Sequence, residues 1–134
     1  PMDCPFCRYV VDDPPDYLIV WENDLAFAIR DKYPVSPGHT LIIPKRHVAD
    51  FFHCSPAEQS ALLEGARYVQ NQMINRSPRK DGRIPSGWNL GVNVGKPAGQ
   101  TVFHVHLHVI PRYSGDVGAP AGGVRGVIPK KQKY

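Results

Sequence analysis

Apolar and polar positions alternate in short bursts along the first third of the chain. Tyr17-Leu18-Ile19-Val20-Trp21 and Leu25-Ala26-Phe27-Ala28-Ile29 are two apolar runs separated by Glu22-Asn23-Asp24, a turn signal. A loop containing Pro34, Pro37 and Gly38 leads to a third run, His39-Thr40-Leu41-Ile42-Ile43, ended by Pro44. Three tightly linked strands predict an antiparallel meander. The period then changes. Ser55-Pro56-Ala57-Glu58 reads as a capping box with proline in the first turn, and Leu62, Ala66, Val69 and Met73 recur at helical spacing. One helix over residues 56 to about 74 follows. Residues 75–87 carry no apolar period and read as an exposed basic loop with solvated cations. Residues 88–94 predict a fourth strand, 95–100 a turn, and 102–110 a fifth strand that Pro111 ends. Strands grouped around one good helix indicate an α+β fold with an antiparallel sheet. The expectation is one domain over 1–134, with a core at about 4–112 and an irregular tail at 113–134.

Composition narrows the class without naming a function. At 134 residues a second independent core is not expected, and 42% hydrophobic with 21% charged residues is too apolar for intrinsic disorder. The net charge of +4 favours anionic partners in general. No run of about 18 apolar residues exists, which argues against a membrane-spanning helix. No basic stretch followed by an apolar one opens the chain, so no signal peptide is visible. Three cysteines, an odd number, argue against a secreted disulfide scaffold and for a cytoplasmic setting.

The informative stretch is Phe103-His104-Val105-His106-Leu107-His108-Val109-Ile110. Strand alternation places Val105, Leu107 and Val109 on one face, against the helix stripe, and His104, His106 and His108 on the other. Three imidazoles in a row are not a core solution, because each carries a donor and an acceptor in need of partners. They do not converge on one metal either, since residues four apart lie roughly 13 Å apart along a strand. A row of rings suits an extended anion such as a phosphate ester. The central ring can act as nucleophile while an outer ring handles protons or charge. Gln100 and Thr101, on the adjoining turn, are placed to hold non-bridging oxygens.

Gly99-Gln100-Thr101-Val102-Phe103-His104-Val105-His106-Leu107-His108-Val109 resembles the signature of the histidine triad (HIT) superfamily of nucleotide hydrolases and transferases. Pro37-Gly38-His39-Thr40-Leu41-Ile42-Ile43-Pro44-Lys45 resembles the upstream strand of the same superfamily. The resemblance implies a HIT fold, with a five-stranded antiparallel sheet and one main helix, in a homodimer. It implies that His106 attacks the α-phosphate of a nucleotide and that His108 contacts the phosphate and assists the leaving group, with His104 completing the catalytic triad. Asn93, Gln100 and Thr101 match phosphate-contacting positions, Asp31 a ribose-contacting position, and His39 a histidine supporting the site. Ile110-Pro111-Arg112 is similar to the fragile-histidine-triad and bacterial branches, which cleave dinucleoside polyphosphates.

Cys4-Pro5-Phe6-Cys7 permits a dithiol redox motif, a disulfide or a metal pair. The redox motif normally follows a strand and opens a helix, yet only three residues precede Cys4. The spacing suits zinc with two further ligands. Bacterial HIT members, which the chain resembles here too, join such a pair to a histidine after the third strand and to the first triad histidine. On this sequence these are His47 and His104, giving a closed structural zinc site and no organic cofactor.

Three functions stay open on these residues. The first is a nucleotide hydrolase working through a nucleotidyl-histidine, on dinucleoside polyphosphates or, alternatively, on purine nucleoside phosphoramidates. The second is a nucleotide-sensing module with little turnover. The third, nucleic-acid binding, is prompted by Arg79, Lys80 and Arg83, but no aromatic residues interleave with these charges and no such motif occurs.

Overall fold

The computed structural model describes residues 3–12 and 18–134. A short helix α1 (Cys7–Val11) is followed by β1 (Trp21–Glu22), β2 (Ala26–Arg30), β3 (Thr40–Pro44), the long helix α2 (Pro56–Asn75), β4 (Gly87–Gly91) and β5 (Leu107–Arg112). The strands form one sheet in the order β1-β2-β3-β5-β4, with every pairing antiparallel. The expected α+β architecture, five antiparallel strands and one main helix, is therefore present. Among the described residues no helix is long and apolar enough to cross a membrane.

Both faces of the sheet are used, by different partners. Ala26, Ala28, Ile42, Val105, Leu107 and Val109 pack on Leu62, Ala66, Val69 and Met73 of α2. Phe27, Ile29, Leu41 and Ile43 point the other way and are covered by Cys4 and Phe6 of the N-terminal segment. Phe27 and Trp88 pack in these cores, as their size suggests. Helix α2 starts as its sequence dictates: Ser55 Oγ accepts from the Glu58 amide, and Glu58 Oε1 accepts from the Ser55 amide. Glu58 also takes a two-pronged bond from Arg46, and that guanidinium holds its carboxyl down at about 2. The ion pair pins the chain just after β3, beside His47.

Strand limits differ from the expected ones for identifiable reasons. β1 is confined to Trp21–Glu22 because Asn23 Oδ1 accepts from the Leu25 and Ala26 amides and turns the chain at once. Residue 17 of the expected first strand lies outside the described residues. β4 stops at Gly91, opposite His108, where its partner β5 has only just begun. β5 starts five residues later than expected because the Val105 amide donates to the Val48 carbonyl (2.8 Å) instead of to a ladder. Pro111 lies inside β5 and does not end it. β3 begins only at Thr40, opposite Val109, so the missing N–H of Pro111 faces no partner strand there. The loop after α2 is not merely solvated. Arg79 pairs with Asp81 and lies 4.8 Å over the Tyr113 ring, and Arg83 donates to the Ser114 carbonyl. The tail contains two short 3-10 turns, Gly123–Val127 and Pro129–Lys131.

Gly65 marks a close approach of α2 to the sheet. A β-carbon there would lie 2.6 Å from the Trp21 ring and 2.7 Å from Ile42. Alanine normally gains about 1 kcal/mol over glycine within a helix. Here Gly65→Ala is expected to destabilise by about 1–3 kcal/mol through overpacking. Urea unfolding reads the sign, and a raised midpoint would contradict the tight helix–sheet contact.

Candidate active site and metal centre

The triad does not lie along one flat strand. Only His108 is in β5, where it pairs with Leu41 and Gly91. His104 and His106 sit in the bend ahead of it, and the bend separates their fates. His106 and His108 line a cleft of about 500 Å³, together with Asp31, His39, Asn93 and Thr101. That volume is in the range of small-molecule sites. His104 is fully buried, outside the cleft lining, and faces Cys4, Cys7 and His47. The expectation that three rings share one exposed face is thus corrected: one ring turns inward and two remain.

Hydrogen bonds fix which nitrogen of each ring carries the proton. A backbone carbonyl can only accept, so His106 Nδ1–H donates to the His104 carbonyl at 2.9 Å. Nε2 of His106 is left as a lone pair. His39 Nδ1 accepts from the Val35 amide at 3.2 Å, which puts the His39 proton on Nε2. That N–H donates to His108 Nδ1 at 2.9 Å, and His108 in turn must carry its proton on Nε2. The cleft therefore presents two neighbouring imidazoles of opposite character, 5.1 Å apart between centroids: one a lone pair, one an N–H donor.

Asp31 Oδ2 stands 3.5 Å from His39 Nε2, and Oδ1 accepts from the Tyr33 amide. Asp31, His39 and His108 bring three potential ligand atoms together, but the proton on His39 Nε2 makes that nitrogen a donor and not a metal ligand. Burial pushes the His108 imidazolium down to about 4, reinforced by His106 and His39 and opposed by Asp31. Burial lowers His39 as well, again against Asp31.

Gln100 does not reach the cleft. It is buried, its Nε2 donates to the Ala49 and Val102 carbonyls (2.8 and 3.1 Å), and its Oε1 accepts from the Gly95 amide at 2.9 Å. All of its polar atoms are engaged in bracing the loop before the triad, which leaves none for a phosphate oxygen. Cleft residues that sequence reasoning missed include Phe6 and Tyr9. Phe6 lies between the two cysteines, and Tyr9 stacks on Phe27 from α1, a helix too short to leave a periodic signal.

The second cluster fits a tetrahedral metal. His104 Nε2–H donates to the Pro44 carbonyl at 2.7 Å, so its Nδ1 lone pair faces the cluster. From that atom Cys4 Sγ is 3.4 Å away, Cys7 Sγ 3.5 Å and His47 Nδ1 3.2 Å, and Cys7 Sγ lies 3.2 Å from His47 Nδ1. Metal bonds of about 2.0–2.3 Å give tetrahedral edges of roughly 3.3–3.7 Å. The spacing and the S₂N₂ donor set are compatible with zinc, and the Pro44 carbonyl behind His104 is the usual support of a metal-bound imidazole.

Comparison with known proteins finds relatives of similar sequence and fold. A HIT family protein of Bacillus anthracis superposes with a TM-score of 0.73 at 37% identity, over 87% of this chain and 79% of that one. A zinc-bound histidine triad family protein of Mycobacterium smegmatis gives 0.66 at 35% identity, over 86% and 78%. Adenylylsulfatase HINT3 of Arabidopsis thaliana is 34% identical over 114 residues, which are 85% of this chain and 54% of that protein.

Stability should carry the signature of the buried rings. In the unfolded chain His39 and His108 titrate near 6.5, and in the folded chain His108 does so near 4. Between these values the unfolded state binds more protons, so stability is fully present above pH ~6.5 and falls as the pH drops towards ~4. Urea midpoints from pH 7 to 4.5 should decline, less steeply in His108→Asn; equal slopes would assign the loss to other groups.

The profile of the HIT domain matches residues 15–115, and this chain belongs to the HIT family.

Proposed function

We propose that this protein is a nucleotide hydrolase that cleaves phosphate anhydrides through a covalent nucleotidyl-histidine, with dinucleoside polyphosphates as its substrate class. The observation that carries the reading is the pairing of a free Nε2 lone pair on His106 with an Nε2–H donor on His108 in one cleft. In this scheme the His106 lone pair forms an N–P bond to the α-phosphorus. The P–O bond to the leaving phosphate breaks, and its electron pair departs on that oxygen. The His104 carbonyl keeps the proton on Nδ1 while positive charge develops on the ring. His108, neutral at pH 7, offers Nε2–H as a fixed hydrogen bond to the oxygens that gain charge. Water then attacks phosphorus and gives up its proton to solvent, the N–P bond breaks with its electron pair returning to His106 Nε2, and the nucleoside monophosphate leaves. In the same reading Asp31 takes the ribose hydroxyls, Asn93 and Thr101 the phosphate, and His39 holds the tautomer of His108.

The quartet Cys4, Cys7, His47 and His104 would hold zinc. Four protein ligands fill a tetrahedral ion, so when bound it supplies a structural cross-link and no reacting water. A homodimer belongs to the same reading: β4 is an edge strand, where a second copy could extend the sheet.

AMP release from diadenosine tetraphosphate, adenosine phosphoramidate and adenylyl sulfate tests the proposal. The wild type should turn over at least the first, and His106→Asn should lose about 10³-fold or more in kcat. Turnover of the phosphoramidate alone would move the substrate class, binding without turnover would leave a sensing module, and an active His106→Asn would remove the nucleophile assignment. Purified protein should contain one zinc per chain, and Cys4→Ser should lose it together with several degrees of melting temperature; a metal-free wild type that is equally stable would sink the zinc site.

A further inference from the structure

The metal quartet and the nucleophile share one neighbour, Phe6. Phe6 is carried between Cys4 and Cys7, is buried, and reaches across the boundary between the two sites. Its ring meets His104 edge-on (5.8 Å, interplanar 90°) and His106 at 5.1 Å and 62°. His106 also meets His108, 5.1 Å away at 61°. The His106 ring is therefore in contact with two other rings and bonded at Nδ1 to the His104 carbonyl. Two of these three restraints originate in the metal quartet: Phe6 is positioned by the cysteines on either side, and the carbonyl belongs to a ligand.

α1, which begins at Cys7, is only five residues long and has no side-chain cap. A helix of this length cannot hold itself in place. The segment is retained by the apolar seat of Phe6 and Cys4 on Ile29, Leu41 and Ile43, and by the cysteine–histidine cluster. Phe6 also lines the cleft, so its ring forms a wall between the two sites.

We propose that Phe6 is a positioning residue for His106, pressed against the nucleophile by the Cys4–Cys7 loop, so that occupancy of the metal quartet governs the orientation of the His106 ring. This rests on the hydrolase reading for its consequence but not for its geometry. Misplacement of a reacting group by about 1 Å costs on the order of 10²-fold in rate, so the loss should fall on kcat and leave KM within a few-fold. Metal removal and removal of the ring should act through the same restraint and be far from additive.

The experiment uses zinc-loaded full chain and three variants, Phe6→Ala, Phe6→Leu and Phe6→Tyr, each checked for zinc content and melting temperature. Long-range ¹H–¹⁵N spectra of the histidine rings read the His106 tautomer directly, without any substrate. The wild type with zinc should show one His106 tautomer, protonated at Nδ1. Phe6→Ala, with zinc retained, should show a mixture of tautomers and a kcat about 10- to 100-fold lower; Phe6→Tyr, which keeps a ring, should restore both. Chelation should produce the same mixture in the wild type and cost Phe6→Ala less than about threefold further in kcat. Where Phe6→Ala does not keep its zinc, Phe6→Leu, of similar bulk but without a ring, replaces it in the same comparison. An unchanged tautomer in a zinc-bound Phe6→Ala or Phe6→Leu would overturn the proposal, as would a rise in KM alone, which would make Phe6 a plain substrate contact. If no substrate is turned over by the wild type, the hydrolase reading fails and the ring spectra still decide the role of Phe6.

Discussion

Much of this molecule hangs on the hydrogen bond from His104 Nε2–H to the Pro44 carbonyl. His104 is fully buried, and a buried imidazole needs a partner at each nitrogen. Once the carbonyl at the end of β3 takes one proton position, the other nitrogen can only accept, and it does so facing two cysteines and a second histidine. The backbone of the same residue then offers its own carbonyl to His106. A single residue thus joins the central strand, the N-terminal segment and the cleft, and the order of events runs from β3 outwards.

The proton positions in the cleft are set by backbone groups, with Asp31 as the nearby formal charge. On one side, the carbonyl of His104 holds the His106 proton on Nδ1, away from the cleft. On the other, the Val35 amide starts a relay through His39 that delivers a proton towards the cleft on His108. Two chemically identical side chains, two residues apart, acquire opposite roles because one meets a carbonyl and the other meets a chain of donors. The net charge of +4 has no part in this, which is why composition says so little about the site. The Arg46–Glu58 pair contributes indirectly, by holding the start of α2 against the strand end from which His47 projects.

Local signals carried well from sequence to structure. The capping box at Ser55, the stripe through Leu62, Ala66, Val69 and Met73, and the inward set of Val105, Leu107 and Val109 all depend on neighbours in the chain, and each is found where its period places it. What the sequence could not show depends on distant contacts. The Val105–Val48 bond bends the triad and sends His104 inward. The loop carbonyls of Ala49 and Val102 claim Gln100, a residue whose motif position suggests a ligand contact. Phe6 reads as an ordinary spacer between cysteines until the fold sets it against two histidines. Both cysteines and both metal-facing histidines were legible because spacing and family resemblance named them together.

The quartet also has a consequence for the unfolded chain. It ties together points 40 residues apart, Cys7 and His47, and a further 57 apart, His47 and His104. Cross-links of this kind act by restricting the denatured ensemble, and their effect grows only slowly with loop length, by about 0.6 kcal/mol per doubling. With an ion in place the segment around Cys4 and Cys7 would be tied to the body of the fold by its side chains as well as by its backbone. Fraying, ordinarily the easiest motion of a small domain, would have to open a junction shared with the middle and the last strand. Cys4 and Cys7 would then leave the fold only together with the strand ends that carry His47 and His104.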